Sequence, residues 1–353
     1  MSFKIQSICL KCSLVLVLLL FLQIIFSQYN FTEVDNRLQD ASKHLGGSVS
    51  ALIYKDGSVI YKKNIGKIDE KTIIPIASCS KWLTAALVMT FVDEGKISLD
   101  DYVSKYIPVF SQYRKGYITI RQCLSHQTGI EQKPFSIRSL LGERKFKSLE
   151  EEVNYYASKT DIDFNPGDGF YYGNVGLNIA ARVCEVVSKR DFNRLMLERI
   201  FRPLQMRSTT FQNENLDNAP NPSGGAKSTS EDYIHFLAMI LNKGVYKDKR
   251  ILSEASINEM QTEQITLDKI KYAPNIARGL TYGLGEWIIA KDDSGKSTVV
   301  ASPGLFGSWP LIDKCRGYAV VFFVKTLTNE ERKNLYEDIL QSINKVILND
   351  NCK

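Results

Sequence analysis

Apolar positions recur at helical spacing over residues 34–45, and Gly46-Gly47 closes that segment. Two strand-like runs follow at 48–54 and 58–63. They are joined through Asp56-Gly57, a strong hairpin signal. After Pro75 the pattern changes. Ile76-Ala77-Ser78-Cys79-Ser80-Lys81 mixes small and polar residues, and from Trp82 to Met89 the chain is apolar nearly throughout. That predicts a buried helix whose first turn meets a cleft, ending near Asp93-Glu94-Gly95-Lys96. Residues 98–212 read mostly as helix and loop. Within them 118–129 predicts a helix stopped by Gly129, and 134–150 is polar and basic without a clear period, a loop or lid. Residues 166–169 form a turn, 175–187 a strongly apolar helix, and a helix over 230–242 closes this part. Strands return at 281–289, 298–302, 307–312 and 318–324, before a helix over 330–348. The order predicts a two-lobed α/β (α+β) fold. An antiparallel sheet flanked by N- and C-terminal helices is built from residues 28–75 and 225–350, with an all-helical lobe, 76–224, inserted.

The N-terminus stands apart. Lys4 and Lys11 precede an apolar run at 13–26, and polarity returns at Ser27-Gln28, which predicts a secretory signal peptide over 1–27 and a domain over 28–350. The run is short for a spanning helix, which needs about 20 apolar residues. An uncleaved membrane anchor is the alternative. The expected location is therefore exported, periplasmic or secreted.

Of the 353 residues, 44% are hydrophobic and 24% charged, a globular balance with length for a large core. Removing residues 1–27 takes away two lysines and no acid, so the formal charge falls from +6 to +4. That charge is spread along the chain, with no basic block, and no nucleic-acid partner is expected. Cys79, Cys123 and Cys184 lie in apolar helical surroundings and read as core packing. Cys315 and Cys352 flank the last strand–helix unit and can pair in an oxidising compartment. Cysteines and histidines show no metal-ligand spacing, so neither a metal nor an organic cofactor is expected. Asn30-Phe31-Thr32 is a glycosylation sequon with meaning only in a eukaryotic secretory pathway.

Ser78 and Lys81 are three residues apart, so on a helix they share a face. A serine hydroxyl is a weak nucleophile until a base takes its proton. Lys81 can be that base only when neutral. At the ordinary pKa, only about one lysine in a few thousand is neutral at pH 7, and burial must lower the value by about 3 units. Taken alone, the pair also fits a plainer role, with Ser78 capping the helix and Lys81 in water.

Further segments follow in order. Leu124-Ser125-His126-Gln127-Thr128-Gly129-Ile130, then Asn165-Pro166-Gly167 with Phe170-Tyr171-Tyr172-Gly173-Asn174, then Gly224-Gly225-Ala226-Lys227-Ser228-Thr229, then Tyr282-Gly283-Leu284-Gly285. With Ser78-x-x-Lys81 they make the chain resemble the serine β-lactamase-related family, the group of class C β-lactamases, D,D-carboxypeptidases and related esterases. The resemblance covers roughly residues 47–325. It implies Ser78 as nucleophile, Lys81 as base, Tyr172 as proton relay and Asn174 as the residue holding the substrate carbonyl and Lys81. A phenol beside an ammonium can shuttle a proton because the positive charge favours phenolate. The alternative for Tyr172 is an ordinary half-buried aromatic.

The third motif departs from the family's Lys-Thr-Gly or His-x-Gly. The match is Ser302-Pro303-Gly304, where Gly304 keeps the small residue, the cation is gone, and Pro303 lacks a backbone donor. Substrate contact is assigned to Asn174, Ser302 and Gly304. The oxyanion hole is assigned to the backbone N–H groups of Ser78 and Leu305. Phe306, Trp309 and Trp287 either line an apolar acyl pocket or belong to the sheet core. Of the three histidines, none follows a Gly-x-Ser-x-Gly elbow, and His126 reads as structural, holding a turn through its ring. The expectation is an exported serine hydrolase acting through an acyl-enzyme on a small-molecule or peptide ester or amide, esterase-like because the cation is lost. The alternatives are a penicillin-binding protein, D,D-carboxypeptidase or β-lactamase, or a catalytically weak binding or structural protein on the same fold.

Overall fold

The computed structural model describes residues 29–132, 146–213, 215, 217–327, 330–349 and 352. The expected signal segment and anchor run, 1–27, and most of the expected lid, 134–150, lie outside the described residues.

Helix α1 (Thr32–Ser42) leads into strands β1 (Val49–Lys55) and β2 (Ser58–Ile65). Asp56 and Gly57 both take positive φ, 48° and 86°, the backbone that a two-residue hairpin turn requires. Helix α2 (Cys79–Asp93) is buried from Cys79 through Phe91 on every side, as its composition predicts. Burying Trp82, Leu83, Leu87 and Phe91 contributes roughly 1.5–3 kcal/mol each. Helix α3 (Leu149–Lys159) begins inside the tail of the expected lid, its first turn capped by the Ser148 side chain. Helices α4 (Val175–Ser188) and α5 (Ser230–Leu241) follow. Strands β3 (Thr281–Tyr282), β4 (Trp287–Lys291), β5 (Ser297–Ala301), β6 (Trp309–Asp313) and β7 (Tyr318–Val324) precede helix α6 (Glu330–Val346).

The seven strands form one antiparallel sheet in the order β2-β1-β7-β6-β5-β4-β3. Its outer face carries Ala51, Ile53, Leu311, Val320 and Phe322 against residues of α1 and α6. Its inner face carries Leu52, Val300, Ile312, Val321 and Phe323 into the core that surrounds α2. That core is continuous from the sheet to α3 and α4, so α2 is the axle on which both halves pack. Cys315 and Cys352 are joined in a disulfide, while Cys79, Cys123 and Cys184 are free and buried.

Two expected elements are redrawn. The single strand over 281–289 is two short strands, because Gly283-Leu284-Gly285 reverses the chain and pairs Tyr282 with Trp287. Gly283 lies against the Met260 carbonyl, and Gly285, at φ +88°, lies against Lys81 and Ala85 of α2, leaving no room for a Cβ at either position. The expected helix over 118–129 is only Ile120–Leu124. His126 takes a left-handed φ of 59° and turns the chain before Gly129 is reached.

Candidate active site

The turn ahead of α2 is wound tightly. Ile74–Pro75 pairs with Lys227–Ser228, and Ala77 then adopts a φ of +45°, a left-handed conformation unusual for alanine. Such strain costs on the order of 1–3 kcal/mol and persists only where surrounding contacts impose it. The N–H of Ile76 donates to Ala226 O, and Ala226 N–H donates to Ser80 Oγ, so the contacts come from segment 222–228. Ser78 sits at the N-cap position but makes no side-chain cap bond, which leaves its hydroxyl free of that structural role.

Lys81 Nζ lies 3.3 Å from Ser78 Oγ, 2.7 Å from the Ser223 carbonyl and 3.5 Å from Asn174 Oδ1. Its side chain is fully buried, and among the described residues no carboxylate pairs with it. Burial therefore dominates, and the Lys81 pKa is lowered from 10.5 to about 7. The plainer role, a solvated lysine, is excluded by this burial.

Tyr172 is also buried, with Lys81 Nζ 4.8 Å from its ring centroid. Its phenol interacts with the Ser78 side chain. Desolvation raises the Tyr172 pKa above its ordinary 10, outweighing the opposing pull of the Ser78 contact. At rest Tyr172 is therefore a protonated phenol beside the buried Lys81 amine.

His126 packs against this group at a ring separation of 4.7 Å from Tyr172. Its Nδ1 accepts from Gly173 N–H at 3.5 Å, and its Nε2 lies 3.3 Å from the Tyr282 hydroxyl. Burial, then the nearby Lys81, hold its pKa well below 6.5, so the ring is neutral and braces the turn.

Ser302 is 2% exposed, and its hydroxyl faces the carbonyls of Ser78 (3.4 Å) and Gly285 (3.3 Å). Its proton is thus used within the protein, tying the end of β5 to the turn that opens α2. Gly304 lies against the Ile76 carbonyl and the Cys79 sulfur, where any Cβ would collide. Its smallness is needed first by this close approach of two backbone segments. Leu305 is half-buried at the next turn, and among the described residues neither its N–H nor that of Ser78 donates to a protein acceptor. Pro303 and Trp287 form part of the wall of a cavity of about 360 Å³, with Ala301, Trp309, Leu311 and Leu340. The charges on its rim are paired with each other, Arg316 with Asp313 and Lys333 with Glu337. Trp287 also packs on Tyr172, and Trp309 stacks on Tyr336, so both tryptophans serve the sheet faces as well as the cavity. Phe306 is half-buried, and its carbonyl accepts from Thr326.

Three groups escaped the sequence reading. The Ser223 carbonyl gives Lys81 its shortest hydrogen bond, and a backbone acceptor leaves no side-chain signature. Gln132 contacts the Tyr172–Asn174 segment from a stretch without periodicity. Glu286 is fully buried, with neither carboxylate oxygen bonded among the described residues, and burial pushes its pKa up to about 8. The glutamate inside Gly-Leu-Gly-Glu-Trp was the one signal available for it.

A sequence profile of the Beta-lactamase family matches residues 34–342. Protein flp of Staphylococcus aureus (strain MW2) is 29% identical over 195 residues, 52% of this chain and 38% of its own length. The chain thus spans well under half of that curated relative. A solved structure of a beta-lactamase candidate from Bacteroides dorei DSM 17855 is 28% identical, with TM-score 0.80 over 90% of this chain and 99% of the other. A family VIII carboxylesterase is similar in fold, with TM-score 0.70 and 17% identity over 88% of this chain and 97% of the other.

Proposed function

The chain belongs to the Beta-lactamase family and has its transpeptidase-like fold, and from that premise we propose that it is an exported serine hydrolase that works through an acyl-enzyme. Family members that act on esters and amides set the reaction class. The observation that carries the reading is a buried amine of pKa about 7 placed 3.3 Å from a serine hydroxyl.

Ser78 Oγ attacks the substrate carbonyl carbon while Lys81 takes its proton. The oxyanion that forms accepts from the N–H groups of Ser78 and Leu305. The Ser223 carbonyl and Asn174 Oδ1 hold the ammonium produced at Lys81. The tetrahedral species collapses, the C–O or C–N bond breaks, and Tyr172 hands the leaving group a proton that Lys81 replaces. Water then attacks the Ser78 ester, its proton passes back through the same pair, and the acid leaves with the serine hydroxyl restored.

The substrate we assign is a neutral or apolar ester or amide. Ser302-Pro303-Gly304 offers no cation to pair with a substrate carboxylate. Export is supported by the N-terminal pattern and by the Cys315–Cys352 disulfide, a bond that persists in oxidising compartments. Among the described residues no helix is long and apolar enough to cross a membrane.

Intact-mass spectrometry after incubation with an activated short-chain ester, and separately with a penicillin, tests the proposal. A transient ester adduct on Ser78 with turnover is expected. A lasting penicillin adduct would instead indicate a penicillin-binding role. Absence of any adduct would indicate a binding or structural protein.

A further inference from the structure

We infer that Gln132 is a positioning residue that holds the Tyr171–Asn174 backbone in place and so keeps the Asn174 side chain within reach of Lys81. The inference rests on the acyl-enzyme reading above. Asn174 holds the N-cap position of α4, and asparagine there ordinarily bends back to accept from its own helix. Asn174 makes no such bond. Its Oδ1 points instead to Lys81 Nζ at 3.5 Å.

Gln132 holds the backbone of this turn from outside. Its Oε1 accepts from Asn174 N–H at 3.1 Å and from Val175 N–H at 3.5 Å. Its Nε2 donates to Tyr171 O at 3.0 Å. One amide therefore holds both ends of the segment that carries Tyr172 and Asn174. Gly173 between them has no room for a Cβ, because Gln132 Oε1 occupies that place. Gln132 is itself anchored from behind. Ile130 bridges Ile162, and Glu131 N–H donates to Asp161 O at 2.9 Å. Without the Gln132 oxygen, the Asn174 and Val175 N–H groups lose their side-chain acceptor, the Tyr171–Asn174 backbone loosens, and Asn174 Oδ1 drifts from Lys81. An amide oxygen facing Lys81 favours the ammonium, so its departure lowers the Lys81 pKa further.

The test compares Gln132→Ala, Asn174→Ala and the double variant. The readout is the rate at which a fluorophosphonate labels Ser78, followed by intact mass from pH 5 to 9. Gln132→Ala is expected to slow labelling about tenfold, in line with the sensitivity of such sites to misplacement. The acid limb should move to lower pH. In the Asn174→Ala background the same change should alter the rate by less than about twofold, because the two residues act as one unit. Multiplying losses in the double variant would overturn the inference, as would an unchanged rate and pH profile in Gln132→Ala. Should Gln132→Ala not fold, Gln132→Met keeps the bulk and removes both hydrogen bonds. It should also slow labelling about tenfold, and an unchanged rate would count against the idea. Failure of the unsubstituted protein to label at Ser78 is a separate outcome. It rejects the acyl-enzyme reading, and with it the inference.

Discussion

Replacing Lys81 by methionine should abolish acylation and, at neutral pH, make the protein more stable. The reasoning starts from the Lys81 pKa, about 7 in the folded protein against 10.5 ordinarily, in a side chain with no solvent exposure. Because the folded value is the lower one, folding releases a proton from this lysine between about pH 7 and 10.5, while below pH 7 it stays charged in both states. The folded state is thus penalised most below pH 7, and the penalty fades as the pH rises towards 10.5. At pH 7 the cost is about 4 kcal/mol, and it falls by about 2 kcal/mol between pH 7 and 9. Methionine removes this cost but leaves the Ser223 carbonyl without its donor, a loss of about 1–3 kcal/mol. The net expectation for Lys81→Met is a gain of about 1–3 kcal/mol at pH 7 that shrinks or reverses by pH 9. The assay is urea unfolding of both proteins at pH 6, 7, 8 and 9. Glu286 titrates in the same window with the opposite sign, but it is common to both proteins and cancels in their difference. Parallel stability curves across this range would show that Lys81 is charged when folded, and the base assignment would then fail.

Three further outcomes are expected. Tyr172→Phe should bind substrate but slow the chemical step by about 10²–10⁴-fold in single-turnover measurements, since the relay proton is lost while the ring packing stays. Glu286→Gln should be more stable than the unsubstituted protein, by a margin growing about 3 kcal/mol between pH 5 and 8 in the same unfolding assay. A carboxyl whose folded pKa is raised to about 8 loses stability as the pH climbs from its ordinary value through 8. Replacing both Cys315 and Cys352 by serine opens a 37-residue closure and should lower stability by about 3–4 kcal/mol, while Ser78 labelling at 25 °C stays unchanged.

Local pattern alone determined a good deal of this protein. The Asp56-Gly57 turn, the all-apolar α2 and the late strands are legible because backbone preference and side-chain period act over a few residues. The three-residue spacing of Ser78 and Lys81 fixed their shared face for the same reason. What tertiary structure decided was the chemistry of those groups. The Lys81 pKa is lowered because segment 222–228, some 140 residues away in sequence, closes over it and offers a carbonyl instead of a carboxylate. Tyr172 stays a phenol because burial outweighs the opposing hydrogen bond with Ser78, a balance that no spacing encodes. Ser302 turns inward, Gly285 folds one expected strand into two, and Gln132 holds a backbone turn 42 residues later. Each depends on which distant backbone arrives alongside, and desolvation and hydrogen bonding respond to that arrival, not to the order of residues along the chain.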